Sequence, residues 1–140
     1  MAAKQAIGTL LRVGNGASPE VFTTIAGISS ITGPQFTANE IDVTSHDTTG
    51  GYREKITGLK DAGSVSGTIY FDASLTQHQA LLTDFNNNTR KNYRLELATF
   101  SPARYFAFAA RIQEINYSFD VDGAQQATIT FQIDGNATFV

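Results

Sequence analysis

The chain has 140 residues and a mass of 15.1 kDa, the size of one domain that buries about two-thirds of the surface of its unfolded chain. A net charge of −3 and the lack of cysteine argue against a basic nucleic-acid-binding surface, a disulfide framework and a thiolate metal site. We expect no membrane span, because no segment approaches roughly 18 consecutive apolar residues, and no secretory signal, because the N-terminal segment lacks a long apolar run.

Charged residues make up only 16% of the chain, below the roughly 25% of ordinary soluble domains. Ser, Thr, Asn, Gln and Gly therefore occupy more of the surface. This composition suits a chain whose surface is largely covered by copies of itself. A low-charge extracellular β domain would have a similar composition.

The first part of the chain predicts an opening hairpin. Residues 5–13 and 22–31 have the composition of strands, and Gly14-Asn15-Gly16 and Pro19 between them are typical of a turn. Gly33-Pro34 ends the second strand.

Two further strands flank a long polar segment. Residues 40–44 and 64–72 alternate apolar and polar side chains, which is typical of half-buried strands. The polar segment between them, about residues 45–63, predicts a long loop. Connections of this length in a compact domain are usually binding loops or disordered, so we expect this loop to fold against a partner.

One helix is predicted, at about residues 75–85. Its apolar residues recur at helical spacing, and Ser74 with Gln77 resembles a capping box. Three successive asparagines, Asn86 to Asn88, end the helix.

The remaining chain predicts three strands. Residues 93–97 alternate, and residues 106–121 alternate in two phases that change between Ile112 and Ile115, which indicates a β-bulge. Asp122-Gly123 predicts a hairpin turn before a returning strand at residues 127–133.

These patterns predict a mainly β fold with a hydrophobic core and polar rows on the opposite strand faces. The expected core residues are Ile41, Val43, Ile69, Phe71, Leu81, Phe85, Phe108, Ile129 and Phe131. The polar rows, which contain no Lys, Arg or Glu, are Ser64, Ser66 and Thr68, and Gln126, Thr128, Thr130 and Gln132. Such rows are either the solvated face of a β domain or the wall of a pore, where neutral side chains offer phosphates no ion pairs.

Catalytic and metal-binding motifs find little support. Ser45, His46 and Asp47 are sequence neighbours, whereas a catalytic triad is assembled in space. His78 lies on the apolar stripe of the predicted helix and is interpreted as a packed helix residue. The segment Asp120 to Gly123 starts like a calcium loop but lacks the later oxygen ligands, so a hairpin turn is the better interpretation.

The basic residues Arg90, Lys91 and Arg94 surround Tyr93 and form the only basic cluster of the sequence. A cluster of three is usually a solvated strand start or an ion-pairing surface.

Several segments together resemble a known family. The segments are EIDVT, a Gly-Gly turn, YREKITGLKDAG, and a Thr-Ile-Tyr-Phe-Asp strand that leads into a short helix. Their order is similar to that of the tube-forming major tail proteins of long-tailed, non-contractile bacteriophages. The resemblance covers nearly all of the chain.

The resemblance implies an antiparallel β-sandwich or barrel-like tail-tube fold with one short helix, as a single domain over residues 1–140 without a C-terminal immunoglobulin-like domain. It implies a structural virion protein, not an enzyme and without cofactors, that assembles into six-subunit rings. The rings stack into a tail tube through which DNA enters the host. The implied partners are the chain itself, the tape measure, tail tip and tail terminator proteins, and DNA passing through the lumen without sequence-specific binding. The implied location is the virion tail, assembled in the host bacterial cytoplasm without a membrane.

The long loop supplies the candidate contacts between rings. Adjacent glycines allow it to change shape, and its charges of both signs can set the register between copies. The candidate self-assembly residues are His46, Asp47, Gly50, Gly51, Tyr52, Arg53, Glu54 and Lys55.

Two other classes stay open from the residues alone. A monomeric β-sandwich that binds carbohydrate or another surface would expose an aromatic platform and form no polymer. The tube protein of a contractile injection system, which has a similar fold, is a structural alternative.

Overall fold

The computed structural model of the protein describes residues 7–46, 49–97, 102 and 104–140. Within these ranges the chain forms ten β-strands, one α-helix and one short 3-10 turn. The strands are β1 (Thr9–Gly14), β2 (Phe22–Thr24), β3 (Ile28–Thr32), β4 (Thr37–Asp42), β5 (Lys55–Asp61), β6 (Ser64–Tyr70), β7 (Lys91–Leu97), β8 (Arg104–Phe119), β9 (Gln125–Ile133) and β10 (Thr138–Phe139); the helix α1 is Thr76–Asn87, and the 3-10 turn is Thr49–Gly51.

Eight strands form one antiparallel sheet in the order β2-β1-β7-β8-β9-β6-β3, with β10 also paired to β8. The long strand β8 connects the two parts of this sheet, because its first half pairs with β7 and its second half pairs with β9. The register of β8 against β9 shifts between Ile112 and Glu114, which confirms the predicted bulge. The mainly β, antiparallel fold with one helix is thus confirmed.

The core lies on one face of the sheet. Val65 faces Phe131 and Ile69 faces Ala127 across the β6–β9 ladder, and all four side chains are buried. The fully buried Tyr93 packs against Phe131, with ring centroids 4.7 Å apart. These contacts come from strands distant in sequence, so the core joins both parts of the sheet.

The opening hairpin forms, but its second strand is interrupted. β1 pairs with β2, as predicted. The predicted strand at 22–31 divides into β2 and β3 around Ile25 and Gly27. Gly27 has a φ of 80°, and a Cβ at this position would lie 3.1 Å from the Tyr70 carbonyl oxygen. The left-handed backbone and this close approach both require glycine, and they explain why the strand cannot continue.

The helix is confirmed, whereas its capping box is wrong. The N-cap is Leu75, without a side-chain cap, and the Ser74 hydroxyl instead donates to the Asp72 carboxylate at 2.6 Å. The helix ends at Asn88, which has a left-handed φ of 52°. Leu81 is buried, as predicted. Phe85 is 38% exposed, so the prediction that it belongs to the core is wrong.

Candidate assembly surfaces

Strands β4 and β5 form a separate two-stranded sheet. We call the segment from Thr37 to Asp61 the arm; it comprises β4, the connecting loop and β5. Within the described residues, β4 and β5 pair only with each other. The predicted loop at 45–63 is therefore wrong in its second half, where residues 55–61 form β5. Since an isolated two-stranded hairpin is at best marginally stable in water, the arm needs a covering surface.

One face of the arm is apolar and uncovered. Ile41 lies opposite Ile56, and Val43 extends the row because its amide donates to the Glu54 carbonyl at 2.9 Å. Ile41, Val43 and Ile56 are 44%, 42% and 53% exposed. The prediction that Ile41 and Val43 belong to the core is thus wrong. Their alternation identifies an apolar strand face, but no described element of the same subunit covers it.

The opposite face of the arm carries charges. Lys55 Nζ lies 3.4 Å from Glu40 Oε2, and Arg53 Nη1 lies 3.2 Å from Asp42 Oδ2. Exposed pairs of this kind contribute little to the stability of a fold, because water and salt screen them. Hydrogen bonds from Thr44, and then the Arg53 guanidinium, lower the pKa of Asp42.

A hydrogen bond joins the two ends of the connecting loop, and the loop residue Tyr52 is exposed. The Thr44 hydroxyl accepts a hydrogen bond from the Glu54 amide at 2.7 Å. Gly50 and Gly51 have φ values of 74° and 72°, as the glycines of the predicted flexible turn allow. Tyr52 is 78% exposed.

Seven of the eight candidate self-assembly residues lie in the described part of the arm. His46, Gly50, Gly51 and Glu54 are exposed in the loop beside Tyr52. Arg53 and Lys55 form the ion pairs of the charged face. Asp47, which also belongs to the Ser45-His46-Asp47 motif, lies outside the described residues.

The two predicted polar rows meet on one sheet face. Ser64, Ser66 and Thr68 of β6 face Gln132, Thr130 and Thr128 of β9. The Thr68 and Thr128 hydroxyl oxygens are 3.4 Å apart. Sequence reasoning missed the neighbouring row from β8, because the bulge changes its phase; this row is Arg111, Glu114, Asn116 and Ser118.

This four-stranded part of the sheet, in the order β3-β6-β9-β8, has two bare edges. β3 pairs only with β6 among the described strands, so its other edge is free. The second half of β8 pairs with β9 on one side, whereas β7 and β10 pair only with the first half, up to Ala110. Unpaired strand edges are ready to pair with another chain. The few protective charges on the strands predict bare edges in general, but which strands carry them depends on pairing between segments far apart in the chain.

The predicted basic cluster is engaged within the subunit. Arg90 Nε lies 2.8 Å from Asp134 Oδ2, and Lys91 Nζ lies 2.8 Å from Asp84 Oδ2. The Arg94 guanidinium carbon lies 3.9 Å from the centre of the Phe22 ring. The ion-pairing interpretation of the cluster is therefore supported by its geometry.

His78 has a structural role. It is 1% exposed, its Nδ1 accepts from the Asp72 amide at 3.0 Å, and its Nε2 lies 2.8 Å from the Ala26 carbonyl oxygen. The ring thus joins the β2–β3 connection to the segment before α1.

Other features give no chemical site in the described part of the chain. No group of three or more His, Cys, Asp or Glu there could hold a metal ion. No helix there is long and apolar enough to cross a membrane. Asp120 to Gly123 forms the turn between β8 and β9, as predicted.

A sequence model of the phage tail tube protein family matches residues 4–139. No curated protein sequence matches the chain.

Solved structures share the fold at low sequence identity. The tail of an empty gene transfer agent particle with C6 symmetry is 21% identical, covers 99% of each chain and gives a TM-score of 0.79. The SPP1 tail tube is 15% identical. The match covers 96% of this chain and 78% of the SPP1 chain, with a TM-score of 0.68. A chain of the sheath–tube complex of an extracellular contractile injection system is 15% identical. The match covers 99% of this chain and 91% of that chain, with a TM-score of 0.72.

Proposed function

The chain belongs to the phage tail tube protein family, and on this premise we propose that it is a structural virion protein whose copies close into six-subunit rings. The rings stack into the tail tube, the conduit for DNA ejection into the host. The observation that carries the proposal is the combination of an uncovered apolar arm face with a sheet that has two bare edges. Both features are completed by further copies of the same chain.

The bare edges provide the contact within a ring. If the β3 edge of one subunit lies beside the second half of β8 in the next, the interface is heterologous and repeats around a closed ring. The gene transfer agent tail has C6 symmetry. With this symmetry, six copies supply twenty-four strands, and at a spacing of about 4.8 Å the ring has a diameter of roughly 37 Å.

The polar face of the same strands suits the wall of the lumen. Its central rows from β6 and β9 contain only Ser, Thr and Gln at the paired positions from Ser64 to Thr68. Phosphate binding depends largely on Lys and Arg, so a neutral wall lets DNA pass without strong attachment and without sequence readout. On the neighbouring β8 row, Arg111 and Glu114 have opposite charges.

The arm provides the contact between rings. Covering Ile41, Val43 and Ile56 with a neighbouring copy removes their remaining apolar surface from water. Because each side chain is already about half buried, this contributes about half of the roughly 1.5–3 kcal/mol of full burial per side chain. The loop residues, including Tyr52 and Arg53, then lie at the same contact and set its register.

The ends of the tube expose the same surfaces without a further ring. We propose that tail terminator and tail tip proteins cover these ends and that a tape measure protein occupies the lumen during assembly in the host cytoplasm. Neighbouring folds come from tube assemblies with terminators, caps and baseplates, which supports this arrangement. The role is structural, with no catalytic step.

Electron microscopy of the concentrated, purified protein tests the proposal. Tubes with sixfold symmetry and a central channel are the expected result. Particles that stay monomeric at every concentration and ionic strength would contradict it and would favour a monomeric binding module.

A further inference from the structure

We propose that the turn between β8 and β9 inserts into a groove at the root of the arm of a second copy of this chain, in the adjacent ring. This inference rests on the proposed function, since it specifies a second contact between stacked rings. It names two surfaces that sequence reasoning did not identify. We call the turn, Phe119 to Gly123, the tip.

The tip presents apolar side chains to solvent on a fixed support. Val121 is fully exposed and Phe119 is 63% exposed. The Phe119 ring stacks on Tyr117, with centroids 6.2 Å apart and planes at 4°, and Tyr117 contacts Phe71 at 5.0 Å. The aromatic contacts beside the core thus extend to the tip and support Phe119 from one side.

The groove lies between the root of the arm and the segment after β9. Its volume is about 630 Å³. Its lining residues are Phe36, Thr37, Ala38, Lys60, Asp61, Ala62, Gly135 and Asn136. Phe36 is 54% exposed, so the groove offers apolar surface as well as a charged rim.

The tip and the groove lie at opposite ends of the same strands. The tip adjoins the end of the β6–β9 ladder where Tyr70 faces Gln126, and the groove adjoins the end where Ser64 faces Gln132. About six residues of extended chain separate these ends, or roughly 20 Å. The tip of one subunit therefore cannot reach its own groove, but it can reach the groove of a copy placed head to tail. Such a heterologous contact repeats without closing, as a stack of rings requires.

The charges at the two sites are complementary. Asp120 and Asp122 flank Val121 in the tip, and Lys60 lines the groove. Among the described residues, neither Asp122 nor Lys60 forms an ion pair within the subunit. Asp61 also lines the groove and keeps its negative charge, and its carboxylate is held toward the Gly63 amide, which donates to Oδ1 at 2.9 Å. The charge match therefore rests on Lys60, and the turn Phe119 to Gly123 of a second copy supplies both the apolar side chains and the acidic residues to pair with it.

A pair of cysteines tests the contact, because the native chain has none. Val121→Cys combined with Ala38→Cys should give, under mild oxidation of assembled tubes, a ladder of linked chains that continues beyond six. The matched control, Val121→Cys with Asn86→Cys on the exposed helix surface, should give no ladder. If tubes form but no ladder appears, the inference is overturned while the proposed function stands. A ladder that stops at six places the contact within one ring and also overturns it. If the unmodified protein forms no tubes, the proposed function fails first.

Charge reversal provides an independent measurement without cysteines. Lys60→Asp should reduce the tube fraction in a sedimentation assay severalfold, and Asp122→Lys in the same chain should restore it. Equal losses in the single and double variants would show that the two residues do not meet.

Discussion

Ile41 lies directly opposite Ile56 in the antiparallel ladder of the arm, and both side chains are about half exposed, at 44% and 53%. A cross-strand apolar pair normally packs on a core, but here no described element of the subunit covers it. The charged pairs Glu40–Lys55 and Asp42–Arg53 occupy the opposite face. The arm is therefore amphipathic, and its apolar face is left open to solvent by the described part of the subunit.

We expect a charge on the apolar face of the arm to block assembly without unfolding the subunit. Ile56→Lys should lower the amount of sedimentable tube by about tenfold, since it removes about half of the roughly 1.5–3 kcal/mol of full aliphatic burial and places a charge in an apolar contact. The matched control is Thr57→Lys, the same charge on the next residue and the opposite face. Equal assembly of the two variants would contradict a role for the apolar face.

The Arg53–Asp42 pair should matter more for assembly than for folding. Because both side chains are exposed, Arg53→Ala should change the free energy of unfolding by less than about 1 kcal/mol in urea denaturation. Glu54→Ala should likewise leave the subunit folded. We expect both variants to weaken tube formation, and unchanged tube yields for both would remove these residues from the interface.

Part of the fold could be predicted from sequence because its cause is local. The helix, the turn at Asp122-Gly123 and the bulge after Ile112 are each specified by neighbouring residues. β5 could not be predicted, because its register against β4 shifts between Ala38 and Glu40. The extra residue in β5 breaks the period-2 pattern, so its sequence does not alternate like a strand.

The sequence marks the arm as an unusual segment but does not show its form. The loop residues around Tyr52 were identified, yet the apolar arm face was assigned to the core, because alternation does not say what covers a strand. The bare edge of β3 and the groove beside Phe36 depend on which distant strands pair. Sequence neighbours carry no information about that pairing.

We expect acid to destabilise the subunit partly through Asp72. Hydrogen bonds from the Ser74 hydroxyl and amide lower its pKa below the ordinary value of 3.8. A carboxylate with a lowered folded-state pKa stabilises the fold above its unfolded pKa, and this contribution is lost as the pH falls through the folded value. The difference in unfolding free energy between the wild type and Asp72→Asn should therefore be constant above about pH 5 and shrink below about pH 4. A difference that grows on acidification would contradict the assignment.

His78 should control the bare β3 edge from inside the subunit. Its ring contacts the Asp72 amide and the Ala26 carbonyl, two residues before β3 begins at Ile28. His78→Phe keeps an aromatic ring and removes both polar atoms, so we expect a loss of about 1–3 kcal/mol in urea denaturation.

The same variant should also assemble less well under conditions in which it is fully folded, because the loss of the Ala26 contact loosens the approach to the β3 edge. Thr83→Ala, an exposed helix substitution, should stay within about 0.5 kcal/mol of the wild type and form tubes normally. A folded His78→Phe protein with wild-type tube yield would show that the edge is held by the β3–β6 ladder alone.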